Sequence, residues 1–456
     1  MILKIILGLG GLGVMVFFHE LGHFIAAKLS GIVVEAFTLG WGKKLVSCRF
    51  RGTEYCIAML PLGGSCKMKG EEAMRDALEA GEGRPREGEG TFYGASPGKR
   101  IFVAAAGPAM NFLFAIFAFS AVWLIGFSYS TFDNRIVLAS DFSSRSGDSV
   151  SYPATQAGLK TGDYITAVDS QPIATFRDLQ DAIALQPEKN LTVEYTRNGV
   201  PGSLRVTPFL NKSTGAGGIG VYPWVEPVIA AVRKESAAQI AGLKAGDRIL
   251  AVNGTDVPHT RFLDMVIEES PFHNLNLLCE RDGKTFETKI ILYADEEGRL
   301  NTGISFRASQ VSSPRVGIAA ALGKGFNETF DTLFITVKSL GLLFRGIDLS
   351  QAVSGPLRIT YFVGEVATTG FSKNFATGVT SILNFLGLLS VALFFMNLLP
   401  IPVLDGGQIV LFLFEVILRK PLSLRFVYRY QFVGWFFVLL LVILSTMSDV
   451  LYFFRS

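Results

Sequence analysis

Charge is what this chain has least of. Of its 456 residues only 18% are charged, while 49% are hydrophobic, and the mean hydropathy is +0.39. An ordinary soluble domain carries about a quarter charged residues, so a purely soluble protein is excluded. The shortage is uneven: uncharged stretches alternate with segments of normal polarity, as in a membrane protein that carries an aqueous part. The length leaves room for about two to four domains. No sign of charge dominates either. A net charge of +3 with scattered basic residues excludes a nucleic-acid binder. Cysteine is sparse: Cys48, Cys56, Cys66 and Cys279 form no CxxC pair, so neither a zinc knuckle nor a disulfide scaffold is indicated. Histidine is sparser still in function than in number, with four in all.

Three uncharged stretches are long enough to cross a bilayer, which takes about 20 residues: 101–132, 374–404 and 430–448. The N-terminus is apolar over 5–18 and then meets His19, Glu20 and His23. A signal peptide would begin with Lys4 and a short apolar run. No small-x-small cleavage site precedes the charged cluster, however, and Phe24-Ile25-Ala26-Ala27 resumes the apolar pattern. We therefore read a fourth span over 4–28. Ionisable residues inside such a span are expensive and functional by default.

Orientation follows from basic residues in the short connections. The stretch 28–100 holds twelve of them, including Lys28, Lys43, Lys44, Arg49, Arg51, Arg75, Arg84, Arg86 and Arg100. The connection after 405 holds Arg419, Lys420, Arg425 and Arg429. Both are expected on the cytoplasmic side, which places both termini and 133–373 outside. The three early cysteines then lie in a reducing compartment, in keeping with their lack of pairing.

The outer segment repeats itself. Ala157-Gly158-Leu159-Lys160-Thr161-Gly162-Asp163 returns as Ala241-Gly242-Leu243-Lys244-Ala245-Gly246-Asp247, and Gly218-Ile219-Gly220-Val221 is echoed by Gly303-Ile304-Ser305-Phe306. Strand alternation such as Leu191-Thr192-Val193-Glu194-Tyr195 fills each copy. The A-G-L-x-x-G-D-x-I pattern resembles the bacterial, protease-associated form of the PDZ domain. A PDZ domain accepts an extended peptide at a sheet edge beside a helix; two rigid spacers with unused grooves are the alternative. Phe326 to Phe344 is apolar on one side but carries Glu328, Asp331 and Lys338, as expected of an amphipathic helix at the interface.

His19-Glu20-Leu21-Gly22-His23 is an H-E-x-x-H motif. Four residues apart on a helix, the two imidazoles project from one face and can share a zinc ion, with Glu20 beside it as general base. A solvated polar face is the alternative, but this helix lies in an apolar run. His259 and His273 sit in the second repeat and are expected to be surface or locally bonded residues. The third ligand expected is Asp405, in Asn397-Leu398-Leu399-Pro400-Ile401-Pro402-Val403-Leu404-Asp405-Gly406-Gly407. Pro400 and Pro402 break the span, since each removes a backbone donor, and the glycines allow a tight turn. A helix cap is the competing role for Asp405. Alternating spans bring all three side chains to the cytoplasmic side at similar depth. Three protein ligands leave a fourth position for water, the pattern of a catalytic zinc.

HELGH in the first span, NLLPIPVLDGG in a later one and the repeat between them together resemble the site-2 protease family, over essentially the whole chain. The resemblance implies a polytopic α-helical membrane protein with four transmembrane helices, a membrane-associated β-sheet and two inserted PDZ domains of α+β type. It implies an intramembrane zinc metalloendopeptidase holding one Zn2+ per chain on His19, His23 and Asp405. Glu20 would activate water, and Asn397 would donate to the oxyanion or position the scissile carbonyl. The sheet falls on Val33–Met68; substrate contacts are assigned to Phe37, Leu39, Gly40, Trp41 and Gly42, with Pro400 and Pro402. The family loop often has Phe where this chain has Trp41, a departure that bears on fine substrate preference. Ala105 to Asn111 and Ser354-Gly355-Pro356 also match.

The expected division is 1–130 (first two spans and sheet), 131–222 and 223–309 (PDZ copies), 310–372 (interfacial helices) and 373–456 (last two spans). The implied substrates are single-pass membrane proteins, an anti-sigma factor trimmed by a first protease or remnant signal peptides, in a sigma-E stress response. The PDZ copies would filter by size or bind C-terminal peptides. The implied location is the bacterial inner membrane, with the PDZ copies periplasmic, the active site toward the cytoplasm, the lipid bilayer as partner and no nucleic acid. A non-catalytic PDZ scaffold is disfavoured because all four site residues are present. A metal transporter lacks the further ionisable residues it needs.

Overall fold

The computed structural model describes residues 2–71, 88–143, 152–212, 215–269, 274–294, 300–343 and 354–455. Arg75, Arg84, Arg86 and His273 lie outside the described residues. The longer helices, in chain order, are α1 (Ile2–Leu29), α2 (Pro97–Ile125), α3 (Phe176–Ala184), α4 (Thr260–Glu269), α5 (Ile318–Leu343), α6 (Pro356–Lys373), α7 (Phe375–Leu398), α8 (Asp405–Leu418) and α9 (Leu424–Arg455). The chain divides into two compact units. One is the chain up to Phe127 together with Ser313–Arg455, and the other is Ser128–Ser312.

In the first unit α1, α2, α7 and α9 are long and apolar enough to cross a membrane. The uncharged run 101–132 is not helical throughout. Gly126, at φ 77°, ends α2, and Phe127–Thr131 continues as a strand. A glycine takes that left-handed conformation without a Cβ penalty. α9 starts earlier than its uncharged run, so includes Arg425 and Arg429, and ends later, so includes Asp449. Asp449 is fully buried. It accepts the backbone N–H of Gly355 at 2.7 Å, Leu357 at 3.0 Å and Arg358 at 3.1 Å, which closes the N-terminus of α6. This gives Ser354-Gly355-Pro356 its structural role.

Glycine sets the helix contacts here. A Cβ on Gly8 would strike the Thr360 backbone, and one on Gly11 would lie 2.7 Å from Val363 Cγ1. Backbones approach this closely only where side chains are absent. Lys4 adds an ion pair to Glu365 at 2.9 Å. α5 begins before Phe326 and packs along α2, where Trp123 Nε1–H donates to Glu328 at 2.7 Å, so that half-buried carboxylate has a partner. Phe344 lies outside the described residues.

Strands β1 (Val34–Phe50) and β2 (Thr53–Met68) form a curled antiparallel sheet. The first half of β1 is shared: Ala36 pairs with Lys67 on one side and Glu54 on the other. Residues 64–68 thus form an outer strand beside α1.

The second unit contains two modules of one topology. β3 (Tyr164–Val168), β4 (Gln171–Pro172), β5 (Leu191–Arg197) and β6 (Val200–Val206) lie in the order β4-β3-β5-β6. β7 (Arg248–Val252), β8 (Thr255–Asp256), β9 (Asn274–Arg281) and β10 (Lys284–Ile291) lie in the order β8-β7-β9-β10. The repeat extends to an ion pair. Arg197 grips Asp163 at 2.7 and 2.8 Å and donates to Gly158 O at 2.8 Å. Arg281 grips Asp247 at 2.6 and 2.7 Å and donates to Gly242 O at 2.9 Å. The second echo is out of register by two residues: Val221–Pro223 and Ile304–Phe306 are the matching closing strands, so Gly220, at φ 80°, and not Gly218 stands where Gly303, at φ 74°, does.

Candidate metal centre

The motif helix α1 carries no proline and runs unbroken through His19 and His23, so the spacing of four places both imidazoles on one face. α7 ends at Leu398. The turn holding Pro400 and Pro402 follows, with Val403 at φ 81°, a strained value for a β-branched residue. α8 then begins at Asp405. Asp405 is therefore both a first-turn helix residue and a neighbour of the histidines. The N-cap position belongs to Leu404, so the cap role weighed for Asp405 in the sequence is not the one it has.

The three side chains converge. His19 Nε2 lies 3.4 Å from Asp405 Oδ2, His23 Nε2 lies 3.5 Å from Asp405 Oδ1, and the two Nε2 atoms are 3.2 Å apart. Zinc binds such ligands at about 2.0–2.2 Å in tetrahedral geometry, and a tetrahedron with those bonds has edges of about 3.4 Å. The separation of the two Nε2 atoms and the nearest approach of each to the carboxylate are of that edge length, the two approaches ending on different oxygens of Asp405, and one donor atom from each residue can be taken with all three within 4.8 Å of one another. Each side chain is only 12–16% exposed, too buried for three polar groups held together by solvent alone. His23 Nδ1 faces Val103 O at 2.8 Å; donating there, its ring leaves Nε2 free for a metal. Asn111 reaches His19 Nδ1 at 3.2 Å.

α2 comes this close because of glycine. A Cβ on Gly107 would fall 2.5 Å from His23 Cε1 and 2.9 Å from His19 Cε1, and one on Gly22 would strike the Ala106 carbonyl. Gly406 and Gly407 serve the Asp405 side, since a Cβ on either would strike backbone carbonyls of the preceding turn. Tyr430 OH donates to Gly407 O at 3.2 Å.

A cavity of about 130 Å³ adjoins the triad, lined by Glu20, His23, Asp405, Cys66, Glu71 and Gln408 among others. A water needs about 10–15 Å³ of such volume, so several fit beside Glu20. The Glu20 carboxylate takes a backbone hydrogen bond from Cys66, and Gly64 packs against Glu20 Cγ, where a Cβ would lie at 2.7 Å. Glu71 is a second carboxyl in this cavity. It accepts the Met68 N–H at 3.2 Å, and burial pushes it up to about 7. Burial likewise pushes the Cys66 thiol up to about 12.

The other expected site residues are distributed around this centre. Asn397 is half-buried in the last turn of α7, Pro400 is exposed and Pro402 is half-buried. A Cβ on Gly434 of α9 would strike Pro402. Phe37 is buried against Phe17 and Phe24. Leu39 sits in the shared half of β1, and Gly40 and Gly42 have φ of 90° and 94°. Trp41 is exposed but its indole covers Gly63. His259 belongs to the second unit. It is buried, edge-on to Trp224 at 4.8 Å, and its Nδ1 accepts the Phe262 N–H at 3.2 Å, the locally bonded histidine expected. Sequence reasoning missed Glu71, Gln408 and the contacts of Asn111 and Gly107. The GPAMN segment was the one available signal for the last two.

The chain matches peptidase family M50 over residues 7–441. A protein of Treponema pallidum (strain Nichols), whose name describes a zinc metalloprotease, is 39% identical over 455 residues, covering 99% of this chain and 100% of its own length. The regulator of sigma-E protease RseP of Escherichia coli (strain K12) is 31% identical over 458 residues, covering 96% of each chain. The regulator of sigma E protease of Haemophilus influenzae is 30% identical over 433 residues, covering 91% of each. The chain belongs to peptidase family M50, the site-2 protease family, and is a zinc metalloendopeptidase.

Proposed function

We propose that this chain cleaves peptide bonds inside the transmembrane segments of single-pass membrane proteins, with His19, His23 and Asp405 as ligands of one zinc ion. The observation that carries the reading is the convergence of His19, His23 and the Asp405 carboxylate at 3.2–3.5 Å beside Glu20, with both histidines in a helix long and apolar enough to span a membrane. When bound, zinc supplies Lewis-acid polarisation of the scissile carbonyl and of the attacking water. Glu20 takes a proton from that water and passes it to the leaving amine. Asn397 donates to the oxyanion.

A helical substrate must unwind first, because its amides are already paired along the helix. The outer strand 64–68, with Gly64 against Glu20, suits the capture of the unwound segment by strand addition, and β1–β2 act as a sheet at the membrane. Phe37, Leu39, Gly40, Trp41 and Gly42 support that sheet, and Pro400 and Pro402 flank the substrate near Asp405. Proline substitution within 64–68 is expected to abolish cleavage while zinc is retained; normal turnover would sink the strand role.

Ser128–Ser312 fits a tandem PDZ pair. Its first module has a groove of about 330 Å³ between Phe176, Leu179 and Ile183 of α3 and the Gly217–Tyr222 segment, where a peptide would add as a strand. The pair lies on the periplasmic side and the metal centre toward the cytoplasm of the inner membrane. The substrates fitting this arrangement are an anti-sigma factor already trimmed by another protease or remnant signal peptides; the name of the Escherichia coli relative connects that protein to sigma-E regulation. Deleting 140–308 separates two uses of the pair: a size filter predicts cleavage of untrimmed substrate, a spacer does not.

The deciding experiment is zinc analysis together with cleavage of a model transmembrane peptide by wild type and Glu20→Gln. Zinc in both and cleavage only in wild type is expected. Retained cleavage in the variant overturns the mechanism.

A further inference from the structure

We propose that Asn111 is a positioning residue that accepts the Nδ1–H of His19 and so fixes this imidazole in the tautomer whose Nε2 is free for the metal. The inference rests on the ligand assignment proposed above. Asn111 is fully buried and stands one helical turn beyond Gly107, the residue that admits α2 to the imidazoles. As placed, its Nδ2 lies 3.2 Å from His19 Nδ1, and its Oδ1 is buried with no hydrogen-bond partner among the described residues.

That arrangement is self-consistent only for one protonation pattern. If Nδ2 donates, Nδ1 carries the lone pair, and the single proton of a neutral His19 sits on Nε2. Nε2 is the atom 3.4 Å from Asp405, so a proton there occupies the position a metal needs. Metal ligation by Nε2 requires the proton on Nδ1. An N–H cannot face an N–H, so the amide must then turn over. The two orientations fill the same volume. Turning it brings Oδ1 to the His19 Nδ1–H and gives the unpartnered oxygen a donor. His23 already has the matching arrangement, with Nδ1 against the Val103 carbonyl at 2.8 Å. Each imidazole then has one fixed acceptor on α2, a side-chain amide for His19 and a backbone carbonyl for His23. Such partners raise ligand basicity and hold ring orientation.

The test is zinc affinity of the purified full chain, read by competition with a chromophoric chelator. Asn111→Leu keeps the branched shape and the number of heavy atoms and removes the acceptor; its affinity is expected to fall by about 10–100-fold. Asn111→Asp restores an acceptor that cannot donate and is expected to bind zinc about as tightly as wild type. The visible spectrum of the Co2+-loaded protein should be unchanged in Asn111→Asp and perturbed in Asn111→Leu. Should the leucine variant fail to fold, Asn111→Ala takes its place in the same comparison. Wild-type affinity in Asn111→Leu, or an Asn111→Asp as weak as Asn111→Leu, overturns the proposal. His19→Ala separates the two readings. Undiminished zinc binding there overturns the ligand assignment and this inference with it. Loss there, beside a wild-type Asn111→Leu, overturns this inference alone.

Discussion

Gly107→Ala is the sharpest perturbation of the metal centre, because it adds one methyl group and removes nothing. The new Cβ would lie 2.5 Å from His23 Cε1 and 2.9 Å from His19 Cε1, and closer still to His23 Nε2. Ordinary contact begins near 3.4 Å, so the His23 ring, whose Nε2 is nearer than its Cε1, must retreat by more than about 0.9 Å or α2 must move away. The helix has little freedom to do so: Gly22 and the Ala106 carbonyl hold α1 and α2 together at the same crossing. Overpacking of this kind costs about 1–3 kcal/mol, which the fold survives. The site does not, because metal–ligand distances tolerate only about ±0.2 Å, and a misplacement of about 1 Å costs about 100-fold in rate. Gly98→Ala, on the same helix with nothing within 4 Å of its Cβ, is the control. Cleavage of a transmembrane peptide and zinc content per chain, measured on both variants in detergent, should show Gly107→Ala losing at least about 100-fold and Gly98→Ala unchanged. A Gly107→Ala enzyme with wild-type turnover and a full complement of zinc would refute the reasoning that α2 is pressed against the ligands.

Three further outcomes follow from other parts of the chain. Burial and the nearby Glu20 and Glu71 carboxylates push the Cys66 thiol up to about 12, and burial pushes Cys279 up to about 11, whereas Cys48 is exposed. At pH 8 only about one Cys66 in 10⁴ is then the reactive thiolate, so mass spectrometry after native alkylation should find Cys48 modified and Cys66 and Cys279 not; prompt labelling of Cys66 contradicts this. Asp449→Ala strands three backbone N–H groups at the start of α6 and should cost at least about 2 kcal/mol, seen as faster hydrogen exchange at 355–358; unchanged exchange there would show that the cap contributes nothing. For Asp247, burial pushes the carboxyl up, and the Arg281 fork with the Lys244 N–H more than reverses this, leaving it below the ordinary Asp value. A depressed carboxyl stabilises the fold fully above its unfolded value of about 3.9, and that stability is lost as pH falls through the lower folded value. Asp247→Asn should therefore flatten the acid limb of stability in Ser128–Ser312, followed by hydrogen exchange of the β7 and β9 amides, and a limb as steep as wild type counts against the pairing.

The chemistry was legible in the sequence because it was conspicuous there. His19, Glu20, His23 and Asp405 are ionisable groups in apolar runs, and lipid makes such groups costly without partners. The repeat was legible because identical turn and strand positions recur at a fixed offset, an offset that also predicts the Arg197–Asp163 and Arg281–Asp247 pairs. The end of α2 was not legible from hydropathy. The run stays uncharged to Phe132, while the helix ends where Gly126 takes a left-handed conformation. Glu71 could not be placed either: it follows β2 in a basic loop, and only the curl of the β1–β2 sheet brings it into the cavity beside Glu20.

A deeper asymmetry separates the groups that bind from the groups that hold them. A ligand announces itself by its own side chain. Much of the support is supplied by residues with no side chain at all, such as Gly22, Gly107, Gly406 and Gly407, whose contribution is the absence of a Cβ where another group must pass. In a helix that absence normally costs about 0.5–1 kcal/mol relative to alanine. In a bilayer it also brings donors and acceptors within reach where water cannot serve them. The four ionisable groups are tolerable in this setting only because glycine lets α1, α2 and the Asp405 turn close around them. The glycines of HELGH and LDGG, together with Gly107, are therefore as much a condition of the metal centre as its ligands.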